Sequence, residues 1–294
     1  MEEKGILNAL SVDVEDYFHV AAFDSVIDRR DWSQIKSRVV NNTRKVLELF
    51  GAHEVRATFF VLGVVAEQQP GLVREISDAG HELASHGYSH QKIYLQTPDK
   101  FRQETRRGKG LLEDISGQSV AGYRAASFSI TSQSMWALDV LVEEGFTYDS
   151  SIFPIHHDNY GIPGAQLDPH ILTTPAGYQI AELPLSSVGT GRLRLPVGGG
   201  GYFRLYPYWL TRRLLQRMNG RSRCFIFYCH PWEFDPGQPR IDNASRLSKF
   251  RHYNNLEKFK PRRERLLNDF QMTTCSQVLA LSNLSGAVVN TFGT

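Results

Sequence analysis

Gly80-His81-Glu82-Leu83-Ala84-Ser85-His86-Gly87-Tyr88-Ser89-His90 sets two imidazoles four residues apart. Helical or extended, this stretch projects His86 and His90 to one side of the backbone, where they can share one cation. Such a site needs a third, hard ligand. The best supply lies upstream in Leu10-Ser11-Val12-Asp13-Val14-Glu15-Asp16, an apolar run that ends in acids. Read as a buried strand, it delivers its carboxylates at the strand's C-terminal end, where α/β folds place their chemistry. On that strand Asp13 and Glu15 share a side while Asp16 points away. Carboxylates buried without partners are costly, so a cation or an arginine is expected beside them.

A His-x-x-x-His pair also occurs in zinc metalloproteases, but there a Glu follows the first His, and here Gly87 stands in that place. The general base therefore comes from elsewhere, from Asp13 or its neighbours. His19 is a second-choice ligand. His53 and His81 read as helix-end or packing residues.

Outward from this stretch the chain alternates strand and helix patterns. Ile6 to Val14 and Ala57 to Leu62 read as buried strands. Helical spacing runs from Trp32 to Phe50 and from Gly71 to Ala79, with Gly51 and Gly80 as stops. Thr97-Pro98-Asp99 starts a helix that reaches about Ile115. Val120 to Ala125 and Phe146 to Ser151 read as strands around a helix from Ser132 to Glu144. Residues 153–205 are rich in Pro and Gly, which predicts hairpins and loops, including a hairpin with close backbone approach at Gly198 to Gly201. Pro207 to Met218 is helical, Cys224 to Tyr228 is a strand, and a last helix lies near Arg265 to Leu281. At least six strand–helix units imply a mainly parallel sheet and a barrel or partial barrel.

Several predicted strand ends carry chemistry. Gly122-Tyr123-Arg124 offers a guanidinium for a buried carboxylate. Tyr148-Asp149 and Tyr228-Cys229-His230 offer an acid and an imidazole that could pair as a proton donor. Tyr202, after the glycine run, is a candidate aromatic platform for a sugar, as is Trp232.

The 294 residues carry a formal net charge of +2, which argues against a nucleic-acid footprint. No apolar run approaches the roughly 18 residues of a membrane span. Met1-Glu2-Glu3-Lys4-Gly5 has no leader character, and Cys224, Cys229 and Cys275 are too few for a disulfide scaffold. These features point to a soluble cytoplasmic protein.

In this order the motifs resemble the NodB-homology polysaccharide deacetylases, carbohydrate esterase family 4. The resemblance spans Leu7 to Glu233: an acidic motif at Asp13 and Glu15, His-x-x-x-His after Gly-His-Glu, an Arg motif at Arg124, an Asp at Asp149 and a His at His230. It departs from the family where Val14 separates the two acids and where Arg124-Ala125-Ala126-Ser127 replaces an Arg-Pro-aromatic run. Leu195-Pro196-Val197 with the glycine run, and His230-Pro231-Trp232-Glu233-Phe234-Asp235-Pro236, resemble a subfamily found with exosortase-linked exopolysaccharide loci. The resemblance implies a distorted, incomplete (β/α) barrel over residues 1–235, with a C-terminal extension over 236–294 packed on the same domain.

It further implies a divalent ion, zinc first with cobalt, nickel or iron also fitting, held by His86, His90 and Glu15, with Asp16 as the alternative carboxylate. Asp13, oriented by Arg124, would be the base. The backbone N–H of Ser127 would face the oxyanion, and His230 paired with Asp149 would be the acid. The substrate would be an N-acetylated saccharide of exopolysaccharide biosynthesis. The readings that compete are a deacetylase-fold amidohydrolase of a non-sugar amide, an inactive glycan-binding domain, and a non-haem iron oxygenase, against which the α/β pattern speaks. The oligomeric state is not encoded in these motifs.

Overall fold

The computed structural model describes residues 5–157, 160–190, 193–282, 284 and 287–288. Met1 to Lys4, part of the stretch read for location, and several residues at the end of the extension lie outside them. The elements, in chain order, are β1 (Asn8–Val14), α1 (Val39–Ala52), β2 (Thr58–Val61), α2 (Gly63–Gln68), α3 (Pro70–Asp78), β3 (Glu82–Ser85), α4 (Pro98–Ser116), β4 (Gly122–Tyr123), α5 (Trp136–Glu143), β5 (Tyr148–Asp149), β6 (His170–Thr173) and β7 (Gln179–Glu182). They continue with β8 (Ser187–Thr190), β9 (Leu193–Pro196), α6 (Gly200–Leu205), α7 (Tyr208–Asn219), β10 (Ile226–Cys229), α8 (Arg246–Tyr253), α9 (Phe259–Asp269), β11 (Met272–Thr273), α10 (Cys275–Leu281) and β12 (Ala287–Val288).

One sheet runs β10-β1-β2-β3-β4-β5-β7-β6-β12, with β11 also paired to β1. Its pairings are parallel except for the β6–β7 hairpin. All of β1 is buried, as a strand between two parallel neighbours should be. The main apolar core lies between the sheet and the helices, where Leu72, Val73 and Ile76 of α3 and Phe101 and Leu112 of α4 face inward at helical spacing. Thr97 caps α4 by accepting from Lys100 N at 3.3 Å, and Gly117 ends it with a φ of 69°.

The sheet curls but does not close by strand pairing. Irregular backbone spans the gap between β5 and β10: Leu185 N donates to Ile152 O (2.9 Å), Ile226 N to Ser186 Oγ (2.8 Å) and Tyr228 N to Gly198 O (2.7 Å). A Cβ on Gly199 would stand 2.0 Å from Tyr228 O, and its φ of 130° excludes most side chains, so only glycine lets the two backbones meet here. The fold is thus the incomplete, distorted barrel expected from the sequence.

Four local expectations need correction. The helix read from Trp32 starts at Val39, and Arg29–Gln34 is a separate 3-10 turn, because the backbone is extended at Ile35 and the Asp16 carboxylate caps the helix at Arg38 N and Val39 N. The close approach at the glycine run is present, but Gly200–Leu205 is a helix and not a hairpin. The last helix is two, α9 and α10, split by β11, which pairs Met272 with Asn8 and Thr273 with Ala9. A short helix, α2, also precedes α3. β11 and α10 bring this part of the extension onto the first two strands: β11 pairs with β1, and Cys275 N donates to Thr58 Oγ1 of β2 at 2.8 Å.

Candidate active site

Asp13, His86, Arg124, Asp149 and His230 lie at the C-terminal ends of β1, β3, β4, β5 and β10, or just beyond them. Parallel pairing in register converts their separation along the chain into proximity at one rim. Glu15, His86 and His90 each offer a ligand atom, all within 4.8 Å of one another, and all three residues are buried. The loop that carries His90 is held from both sides. Gly63 N and Val64 N of α2 donate to Gly87 O (2.8 Å) and Tyr88 O (3.0 Å), while Arg29 Nη2 donates to His90 O at 3.1 Å. His90 itself has a φ of 52°, a strained conformation for a residue with a Cβ, which these bonds sustain.

The donor set fits a cation. His86 Nδ1 lies 2.8 Å from Arg124 O and donates to it, leaving the Nε2 lone pair for a ligand. Burial pushes His86 down to about 4, so its ring is neutral at ordinary pH. Glu15 Oε2 is buried and lies 3.0 Å from His90 Nε2. An imidazole nitrogen and a carboxylate oxygen this close, with His86 beside them, can share one ion. Trp232 Nε1 donates to the other carboxylate oxygen at 3.2 Å. Burial would raise the Glu15 pKa, but His90, His230 and His86 together hold it well below the usual carboxylate range. Two imidazoles and a carboxylate suit zinc and its first-row neighbours.

Asp16 takes no part. Its Oδ2 accepts from Ser37 Oγ (2.7 Å), Arg38 N (2.7 Å) and Val39 N (3.1 Å), capping α1, whose own N-cap residue supplies no side-chain bond. His19 is likewise occupied, its Nδ1 accepting from Asp16 N at 3.0 Å. Among the described residues, the cation group contains neither of them.

Asp13 sits beside this group. Arg124 is fully buried and donates from Nη1 to Asp13 Oδ1 (2.7 Å) and Ser11 Oγ (2.8 Å), from Nε to Ser150 O (3.0 Å) and from Nη2 to Ser150 Oγ (2.9 Å). Its guanidinium carbon stands 4.0 Å from the Phe60 ring centroid. Four bonds and a stacked face leave Asp13 one orientation, with Oδ2 turned toward His230. Ser127 and Phe128 line the same cavity, each with a φ of 53°, two successive left-handed residues in a 3-10 turn.

On the opposite side, His230 Nε2 lies 3.5 Å from Glu15 Oε1 and 3.9 Å from Asp13 Oδ2. Burial would depress this imidazole, but the hydrogen bond to Glu233 and the charges of Glu15, Glu233 and Asp13 outweigh it and lift the pKa to about 9. The expected partner Asp149 is elsewhere. It accepts from Ser151 Oγ (2.6 Å) and Ser151 N (3.0 Å), opposite Glu182 on β7, whereas His230 Nδ1 lies 3.2 Å from Glu233 Oε2. Asp149 faces the β5–β7 layer because residues that alternate along a strand cannot all point to one rim.

The cavity over these groups measures about 740 Å³ and reaches Tyr202, Leu205, Leu247 and Phe250. Tyr202 is half-buried, its hydroxyl 3.3 Å from that of Tyr160. Trp232 is not a platform: His230 stacks on one face (5.0 Å) and His252 on the other (4.2 Å). Sequence reading missed Glu233 and Arg204 as site residues. The first carries a signal, a Glu three residues after a His-Pro start; the second carries none.

Residues 23–147 match the family described as polysaccharide deacetylase, a span that includes His86, His90, Arg124 and Ser127. Residues 150–280 match a domain of unknown function. A Bacillus cereus peptidoglycan-N-acetylglucosamine deacetylase is 26% identical over 148 residues, covering 46% of this chain and 52% of that protein. A Helicobacter pylori peptidoglycan deacetylase is 30% identical over 114 residues, covering 39% and 37%. The chain thus spans about half or less of the length of these curated relatives. A Mycobacterium smegmatis structure provisionally described as a polysaccharide deacetylase superposes with a TM-score of 0.64 at 18% identity, covering 100% of this chain and 96% of that one, which shows the fold.

Proposed function

We propose that the protein hydrolyses the acetamide of an N-acetylated amino sugar within a poly- or oligosaccharide, a reading supported by the match of residues 23–147 to the family described as polysaccharide deacetylase. The observation that carries this reading is the meeting of Glu15, His86 and His90 within 4.8 Å, with Asp13 and His230 on either side. A divalent cation held by those three residues would acidify a water and polarise the acetyl carbonyl.

Asp13 takes a proton from the attacking water, since Arg124 fixes its Oδ1 and leaves Oδ2 as the accepting atom. The new C–O bond puts negative charge on the acetyl oxygen, and Ser127, which lines the cavity, would offer its backbone N–H to it. His230 Nε2 gives its proton to the sugar nitrogen as the C–N bond breaks, and acetate and the free amine result. Glu233 Oε2, 3.2 Å from Nδ1, favours the charged imidazole, the state an acid must start from. The cavity's 740 Å³ falls within the roughly 300–1,000 Å³ typical of ligand sites.

The exopolysaccharide setting rests on the subfamily resemblance. The cytoplasmic location rests on the three free cysteines.

The test is metal analysis of the purified protein together with acetate release from N-acetylated oligosaccharides. Metal near one equivalent and zinc-dependent acetate release are expected, and Asp13→Asn should keep the metal while losing about 10²- to 10⁴-fold in turnover. Full turnover in that variant removes Asp13 from the base role. Absence of acetate release from every glycan with metal bound would end the deacetylase reading.

A further inference from the structure

We propose that Glu233, and not Asp149, is the positioning residue that holds His230 for proton delivery, and that Arg204, anchored on the end of α8, fixes Glu233 in turn. The inference rests on the deacetylase reading and adds a support that reaches outside the strand ends.

The arrangement begins locally. His230-Pro231-Trp232-Glu233 opens a 3-10 turn with Pro in its first position, and the ends are tied reciprocally: Glu233 N donates to His230 O (3.1 Å) and His230 N donates to Glu233 Oε2 (3.0 Å). The same Oε2 lies 3.2 Å from His230 Nδ1. A carboxylate only accepts, so Nδ1 carries a hydrogen toward Glu233. Nε2 is then the nitrogen that faces Asp13, Glu15 and the substrate.

The other oxygen of Glu233 is held from behind. Arg204 Nε donates to Oε1 at 2.8 Å; Arg204 Nη1 donates to His252 O (2.7 Å) and Asn254 O (2.9 Å), and Nη2 to Arg251 O (3.0 Å). Glu233 is 0% and Arg204 2% exposed, so this pair is dry and its geometry is rigid. Trp232, stacked between His230 and His252 with interplanar angles of 18° and 20°, sets the plane of the imidazole. Carbonyls at the end of α8, beyond the last strand of the rim, therefore help to aim the acid. Asp149, with both oxygens given to Ser151, makes no bond to His230.

A leaving amine needs the proton from Nε2, whereas the phenolate of an aryl acetate departs without one. The zinc-loaded enzyme is therefore assayed on an N-acetylchitooligosaccharide and on 4-nitrophenyl acetate. Glu233→Gln should lower kcat on the amide by about 10²-fold, with KM and ester turnover changed less than about threefold. Arg204→Lys, which keeps a cation but gives up the fork, should show the same selectivity at smaller amplitude. Asp149→Asn should affect both substrates alike.

Equal losses of Glu233→Gln on both substrates, no loss on the amide, or amide-selective loss in Asp149→Asn would overturn the assignment. His230→Asn, run in parallel, separates the two levels. Amide-selective loss there, with Glu233→Gln unaffected, leaves the deacetylase reading standing and removes only Glu233. A wild-type enzyme that cleaves the ester but not the amide sinks both.

Discussion

Arg124→Met is the most informative single perturbation of stability. The side chain is 0% exposed and donates to Asp13, Ser11 and Ser150, so methionine restores volume but none of the four bonds. Asp13, 2% exposed, is then a buried carboxylate that has lost its guanidinium. Breaking a buried pair by removing one partner costs about 3–5 kcal/mol, because the remaining charge keeps its desolvation penalty. Domains are stable by only about 5–15 kcal/mol, so the variant should fold with a much lower urea midpoint. Equilibrium unfolding in urea, with EDTA present at pH 7, measures it. The decisive step is the second substitution: Asp13→Asn placed in the Arg124→Met background should recover about 2 kcal/mol, since the neutral amide no longer needs a cation. A cost below about 1 kcal/mol for Arg124→Met, or strict additivity of the two changes, would refute the account of a charge-compensated pair.

Glu15→Gln and His90→Ala should each weaken zinc binding at least about 100-fold by calorimetry, since two protein ligands no longer close the site; retained affinity in either variant would remove that residue from the cation group. In the metal-free protein His230, raised from 6.5 to about 9, contributes stability that is full below pH 6.5 and is lost as pH rises through about 9. His19 and His252, pushed by burial down to about 3, act in the opposite sense, and their contribution is lost as pH falls from 6.5 toward that value. Urea midpoints should therefore peak near neutral pH, and His230→Asn should flatten the alkaline limb; an unchanged limb would contradict the raised value. Gly199→Ala should cost about 2–4 kcal/mol, or prevent folding, through its contact with Tyr228 O and its positive φ; a melting temperature like that of the wild type would show that the barrel seam relaxes.

Much of the rim was legible because strand ends announce themselves. An apolar run that stops at an acid, as at Leu10 to Asp13, or at a histidine, as at Phe225 to His230, states both burial and the point where burial ends. Period-two alternation placed Asp13 and Glu15 on one side and Asp16 on the other, and the bonds of Asp16 to the first turn of α1 follow that division. The capping of α4 by Thr97 was equally local. The split of the last helix at β11 was not, since what stops it is a pairing with Asn8 and Ala9, remote in sequence. The seam at Gly198 and Gly199 was half legible, as close approach without its partner.

Residue type and strand order, both properties of the chain itself, determined that carboxylates, imidazoles and a guanidinium would emerge along one edge of a parallel sheet. Which of them touch was settled only when the barrel curled. Asp149 and Glu233 are both acids near predicted strand ends, but β5 turns the first toward Glu182, while the turn after β10 folds the second back on His230. Arg204 meets Glu233 across 29 residues and the carbonyls of 251–254 across nearly fifty. Such contacts are decided by the packing of whole elements, because a hydrogen bond tolerates only a few tenths of an ångström and no local pattern in the sequence specifies distances that finely.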